Sequence, residues 1–189
     1  MSLRIWGLIL CLGGALPNTA FAQQAFDTEY IKALTSLISL IRSLSRGVDS
    51  LVADETAAQL ERRTKRLSGS LFDLCAKKRQ LIGSLKDSAA SPDEISEDAY
   101  RIQGSLQNVA DDYQCFGAVL SQKKYREYET TISRGLAAKA IDINAFIHAN
   151  RGSNADRTAL VASAEKAESL CVQVQESTAD LAVRLHQAK

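Results

Sequence analysis

The sequence predicts an all-α fold, an antiparallel bundle of long amphipathic helices in four to five segments with coiled-coil-like apolar stripes. Ala, Leu, Ser and charged residues dominate the composition, and Pro92 is the only proline after residue 22. Both features favour helices over strands. Apolar residues recur at alternating spacings of four and three residues, the pattern of helices that pack lengthwise on one another. No stretch shows the strict apolar–polar alternation of a half-buried strand.

Residues 1–22 form a predicted signal peptide, cleaved after Ala22. Arg4 precedes a short apolar run, and small residues, Ala20 and Ala22, occupy the positions that a signal peptidase requires. The apolar run is shorter than the roughly 20 residues of a membrane-spanning helix, so we expect no integral membrane span after cleavage. Residues 23–189 are then a single helical-bundle domain. We expect an exported protein, periplasmic or extracellular in a bacterium.

The first two helices are predicted over residues 27–52 and 54–87. Asp27 and Glu29 place acceptors and negative charge at the first helix start, as an N-terminus favours. Leu51 ends the apolar stripe of the first helix, and Leu60 begins the apolar stripe of the second. The two residues are nine positions apart, so on one straight helix the second stripe would be rotated by about 180° from the first. Either the chain turns between the two helices, or one long rod presents its two halves to different neighbours.

The remaining helices are predicted over residues 92–121, 124–150 and 155–187. Ser91, Pro92 and Glu94 are a typical helix start. The apolar stripe changes face between residues 121 and 124, where neither glycine nor proline marks a turn. A continuous helix that changes face is therefore the alternative at that point. Gly152 lies in a polar loop that separates the last two helices.

Charge predicts that the second and third helices pair. Residues 60–86 contain eight basic and two acidic residues, whereas residues 87–112 contain seven acidic residues and one basic residue. A hairpin turning at residues 88–91 pairs positions whose numbers add to about 179, so Arg66 lies beside Asp112 and Lys86 meets Asp93. The basic surface of the second helix is then neutralised by the third helix.

Lys78 is the one charged residue on the leucine stripe of the second helix. A charge at such a position is unfavourable unless the side chain extends to solvent or meets an acid. The interpretation we favour from sequence is an extended side chain with its ammonium in water. The alternatives are a residue that fixes the helix register and one that lines a polar pocket.

Three cysteines follow the predicted signal peptide, and an oxidising compartment favours one disulfide. If the last four helices run up and down, Cys115 lies about 6 Å along the helix axis from Cys171 and Cys75 lies about 10 Å from it. The predicted disulfide therefore joins Cys115 and Cys171. Cys75 is predicted to be a free thiol.

No catalytic, cofactor-binding or metal-binding residues are predicted. His148 and His186, the only two histidines, lack a second ligand at helical spacing, and no hydrolase or phosphate-binding motif occurs. After loss of Arg4 the chain has 22 basic and 22 acidic residues, and a nucleic-acid-binding protein would normally have a basic excess. We expect no nucleic-acid partner.

The predicted function is that of an exported, non-enzymatic binding, scaffold or adaptor protein that contacts an envelope or extracellular protein; self-association is compatible with the sequence. One segment combines the residue types favoured in protein interfaces. Its predicted partner contacts are Lys123, Lys124, Tyr125, Arg126 and Tyr128, although the tyrosines also begin an apolar stripe. One alternative is a carrier or sensor with a small apolar ligand beside Ala164 and Ala167, and another is an accessory component of a pilus or secretion system.

Overall fold

The computed structural model describes residues 28–49, 57–120, 123–137, 143–152 and 154–188. The predicted signal peptide lies outside these residues. The described chain forms six helices and no strands, which confirms the predicted all-α bundle. The helices are α1 (Thr28–Arg46), α2 (Ala57–Lys86), α3 (Pro92–Gly117), α4 (Lys123–Ala137), α5 (Ile143–Asn150) and α6 (Asn154–Gln187).

The helices pack around a continuous apolar core. Helix α2 packs on α3 and α6, α6 also packs on α1, and α4 packs on α1 and α3. The short helix α5 contacts α3 and α6. Tyr30 at the start of α1 meets Lys78 near the end of α2, so the chain reverses direction between these helices and does not form one rod. The segment predicted as a single helix over 124–150 consists of two helices, α4 and α5.

Helix α3 begins as its sequence predicts. Ser91 accepts a hydrogen bond from the Glu94 backbone N–H at 3.2 Å, and the Glu94 carboxylate accepts one from the Ser91 N–H at 2.8 Å. Pro92 occupies the first turn. This reciprocal capping satisfies backbone donors that have no partner within the helix. The tight turn that precedes it sets α3 antiparallel to α2.

The predicted register between α2 and α3 is confirmed. Asp98 accepts hydrogen bonds from Gln80 at 2.9 Å and from Ser84 at 2.8 Å, and Ser105 donates to Asp73 at 2.9 Å. The residue numbers in these pairs add to 178 or 182. Uncharged polar side chains thus bind acids across the contact between α2 and α3.

The ion pairs follow the charge-based prediction only in part. Arg66 lies 2.6 Å from Asp112, as predicted. Lys86, however, pairs with Glu165 of α6 at 2.7 Å and does not pair with Asp93. The reason is that α6 lies on the other side of α2, where its own acids reach the basic residues near the end of α2.

The predicted disulfide is wrong. Cys75 and Cys171 form the disulfide, with Cα atoms 5.8 Å apart, and Cys115 is the free, half-buried cysteine. The sequence interpretation placed Cys75 level with residue 164 of the last helix. In the structure Cys75 lies level with Cys171, about seven residues further along α6, because the level of two helices that are not consecutive in the chain is set by their packing and not by the turns between them.

Helix α4 approaches α1 closely at Gly135. A Cβ atom built on this glycine would overlap the Glu29 carbonyl oxygen and the Ala33 side chain. Gly135 is therefore needed for the contact between the two helices. Helix-interior glycines elsewhere, such as Gly83, have open space at the corresponding position.

We predict that peptide mapping without reductant will find Cys75 linked to Cys171, with Cys115 available for alkylation. The disulfide closes a loop of 96 residues, so a Cys75→Ala/Cys171→Ala variant should lose about 2–5 kcal/mol of unfolding free energy in urea titrations. Cys115→Ala is the matched control and should lose about 1 kcal/mol or less. A disulfide that includes Cys115 would contradict the observed register of α2 against α6.

We predict that Gly135→Ala destabilises the protein although alanine is the better helix former. The added methyl group must displace α4 from α1, at an expected loss of about 1–3 kcal/mol of unfolding free energy. Gly83→Ala is the control, because its methyl group meets open space and should raise the unfolding free energy by about 0.5–1 kcal/mol. Equal effects of the two substitutions in thermal or urea unfolding would refute the close contact.

Candidate functional site

Lys78 is the most unusual residue of the core. Its side chain lies between α1, α2 and α6 and is only 2% exposed. The Nζ atom donates hydrogen bonds to the Tyr30 hydroxyl and, at 3.2 Å, to the Ala167 carbonyl oxygen. It also lies 4.4 Å from the centre of the Tyr30 ring. The interpretation of Lys78 as a side chain that extends to solvent is wrong.

Small residues of α6 make room for this lysine. Ala167 is fully buried opposite Lys78, and one helical turn away the Cys75–Cys171 disulfide joins α2 to α6. The space beside Ala167, which the sequence offered to an apolar ligand, therefore contains the lysine side chain. The arrangement fixes the register of α2 against α6.

Burial determines the electrostatics of this cluster. Loss of solvation lowers the pKa of Lys78 from 10.5 to about 7, and the Glu168 carboxylate opposes that change. Burial also raises the pKa of the Tyr30 hydroxyl well above its usual value. Burial thus favours the neutral form of both the amine and the phenol. Enclosed by three helices, this pair is suited to a structural role.

The predicted partner-contact segment is divided between core and surface. Tyr125 is 4% exposed and belongs to the apolar core, and Tyr128 is partly buried against it. Arg126 is exposed. The side chains of Lys123 and Lys124 lie outside the part of the chain that the structure describes. A partner role for this segment stays a prediction, and Tyr125 is the residue whose burial weighs against it.

Neither histidine is among the residues that contact Lys78. His186 Nδ1 is 3.1 Å from the buried carboxylate of Glu61, which also pairs with Lys65 at 2.7 Å. His148 is exposed near the end of α5. Among the described residues, no group of three His, Cys, Asp or Glu side chains is placed to hold a metal ion. None of the described helices is long and apolar enough to cross a membrane.

A shallow groove of about 360 Å³ lies between α2 and α6 on the outer surface. Its lining is mostly apolar, and Val183 at its edge is 53% exposed. Phe72, one helical turn from Ser68 of the groove, is 61% exposed. The groove is lined by Lys65, Ser68, Ala179, Ala182, Val183, His186 and Gln187. Sequence reasoning missed this site, although Phe72 is a large apolar residue off the buried stripe of α2.

Two further depressions lie along α2. One, of about 460 Å³, is basic and lies at the start of the helix, where Gln59, Arg62, Arg63 and Arg66 line it. The other, of about 590 Å³, lies where the end of α2 meets the start of α3. Its charged lining residues are Asp87, Glu94, Glu97, Asp98 and Arg101.

Comparisons with protein-family models, with curated proteins and with solved structures find no match to this chain.

We predict that the stability of the protein depends on pH through Lys78. The unfolded lysine titrates near 10.5 and the folded one near 7, so unfolding takes up a proton between these values. The free energy of unfolding should therefore rise as pH increases from 7 to 9.5, by at most about 1.4 kcal/mol per pH unit. Below pH 7 both states hold the proton, and this contribution becomes constant.

Lys78→Met tests the source of this dependence. The variant should flatten the slope and raise the unfolding free energy at pH 7 by about 1–4 kcal/mol, because no buried charge remains to be desolvated. Tyr30→Phe removes a hydrogen-bond acceptor of Lys78 but keeps the lysine. This variant should therefore retain the pH dependence of the unfolding free energy, and its loss of unfolding free energy should be greatest at low pH. A wild-type slope in Lys78→Met, measured by urea titration between pH 6 and 9.5, would exclude Lys78 as the titrating group.

Proposed function

We propose that the protein is an exported, non-enzymatic scaffold or adaptor that binds an envelope or extracellular protein through the groove between α2 and α6. The observation that carries this proposal is the combination of an apolar groove with two large exposed apolar side chains, Phe72 and Val183. Exposed apolar surface of this kind is favourable only when a partner covers it.

The groove has the shape that an amphipathic helix of a partner would fill. In the register set by Cys75 and Cys171, Ser68 of α2 lies level with residues 178–179 of α6, so small side chains form the floor. Val183 lines the groove, and Phe72 lies one helical turn beyond Ser68 on α2. Aromatic residues beside small pockets are typical interface hot spots. A partner helix whose apolar side chains repeat at helical spacing would fit such a groove.

The two helices that form the groove are joined to each other. The disulfide lies one helical turn from Phe72, and α2 and α6 are further joined by ion pairs such as Arg79–Glu168 at 2.8 Å. A surface already held in its binding conformation loses little conformational entropy on association. The predicted signal peptide and the disulfide support an exported location, since disulfides persist in oxidising compartments.

We predict that a photocrosslinking amino acid at Ala179 will form one defined adduct with a partner protein in cells that export this chain. The adduct should be lost on Val183→Asp, because a carboxylate at the groove edge opposes apolar docking. The matched control is the crosslinker at Gln107, an exposed position of α3 away from the groove.

Equal labelling at Ala179 and Gln107, or an Ala179 adduct that survives Val183→Asp, would contradict the proposed site. Circular dichroism of the Val183→Asp variant separates loss of binding from loss of folding. Because Val183 is already half exposed, its thermal transition should stay within a few degrees of wild type.

A further inference from the structure

The basic depression at the start of α2 lies outside the proposed partner groove, and we call it the arginine cleft. Its volume is about 460 Å³, and Gln59, Arg62, Arg63 and Arg66 line it. The lining therefore holds three guanidinium groups, one amide and no carboxylate. Residues at these spacings share one side of a helix, and like charges placed in this way repel one another. An anion bound among the arginines would remove that repulsion.

Only one of the three arginines is neutralised within the described chain. Arg66 Nε lies 2.6 Å from the carboxylate of Asp112, which also accepts a hydrogen bond from Ser70. Arg62 is exposed and Arg63 is half-buried, and neither forms an ion pair with a residue that the structure describes. Two guanidinium groups thus keep their charge and their hydrogen-bond donors available to a ligand.

The register of the α2–α3 hairpin explains why no acid of α3 neutralises these two arginines. Side-by-side positions have numbers that add to 178 or 182, so Arg62 and Arg63 lie level with residues 115–120. Residues 113–122 contain no charged side chain. The nearest acid of α3, Asp112, is already bound to Arg66. Charge complementarity between the two helices therefore ends before it reaches the cleft.

The other described acids near this end of α2 do not reach the cleft. The first turn of α2 contains no acid. Glu61 is buried, pairs with Lys65 at 2.7 Å and lies 3.1 Å from His186 of α6, so its carboxylate is directed to the other side of α2. Asp111 of α3 accepts a hydrogen bond from Gln107 at 2.9 Å. The positive charge of the cleft is therefore available to an external anion.

The rest of α2 treats its cations differently. The helix has eight basic residues, and the six others all have partners within the described chain. Lys78 is hydrogen-bonded in the core. The pairs nearer the end of the helix are Lys77–Asp73, Arg79–Glu168 and Lys86–Glu165. The described chain thus supplies a partner to each cation of α2 except Arg62 and Arg63.

We propose that the arginine cleft binds a phosphate group, either free phosphate or the phosphate of a lipid headgroup. A guanidinium group is planar and donates two parallel hydrogen bonds to the oxygens of one phosphate. The Gln59 amide adds a further donor to the cleft. A planar carboxylate suits a single guanidinium, whereas the tetrahedral oxygens of a phosphate allow two arginines to bind from different sides. This match between donors and acceptors selects phosphate as the ligand.

Titration of the purified protein with inorganic phosphate at neutral pH and constant ionic strength tests the site. The backbone N–H signals of residues 59–66 in NMR spectra should shift to saturation. Because the cleft is open to solvent, we expect a Kd on the order of 1 mM. Sodium acetate, whose carboxylate is planar, should bind at least about tenfold more weakly. Equal affinities for acetate and phosphate would overturn the assignment to phosphate.

Arg62→Gln/Arg63→Gln should weaken phosphate binding at least about tenfold. This variant loses like-charge repulsion, so without phosphate it should unfold at the wild-type temperature or above, which separates loss of the site from loss of the fold. Arg42→Gln/Arg46→Gln is the matched control, because it removes the same charge from a different depression, between α1 and α6. The control should bind phosphate within about twofold of the wild type. Equal losses in the two variants would indicate general attraction between charges and would overturn the proposal.

Vesicles distinguish the two sources of phosphate. If the ligand is a lipid headgroup, the protein should float with vesicles that contain phosphatidylglycerol and not with vesicles of phosphatidylcholine alone. Saturation by free phosphate without flotation would identify the free anion as the ligand. In either case Arg62→Gln/Arg63→Gln should lose the binding, and Arg42→Gln/Arg46→Gln should keep it. A protein that neither responds to free phosphate nor floats with phosphatidylglycerol vesicles would overturn the proposal.

Discussion

The antiparallel contact between α2 and α6 determines the arrangement of the rest of the bundle. Two features one turn apart fix it: the Cys75–Cys171 disulfide and the fit of Lys78 against Ala167. Tyr30 binds the same lysine and thereby places the start of α1 against both helices. Helix α4 then packs on α1 at Gly135, and α3 packs on the remaining side of α2. A shift of α2 along α6 by one turn would disrupt the disulfide and the contact between Lys78 and Ala167 together.

The lysine at this junction opposes stability while it favours a unique register. Removing an ammonium group from water is unfavourable, and one hydroxyl and one carbonyl compensate only in part. The same loss of solvation lowers the pKa of Lys78. Its hydrogen bonds, however, can form only when Tyr30 and Ala167 are both in place. The disulfide offsets the stability lost by burying the lysine, because it restricts the unfolded chain. The loop that it closes spans more than half of the sequence.

The sequence predicted those features that depend on neighbouring segments. The α2–α3 register follows from a short turn and from charges on two consecutive helices, so Arg66 and Asp112 could be paired in advance. The disulfide could not, because α2 and α6 are not consecutive helices and the two cysteines are 96 positions apart in the sequence. Lys78 was misjudged for a related reason: its environment is created by Ala167, a residue 89 positions away. The groove between α2 and α6 was missed because it exists only where these two helices lie side by side.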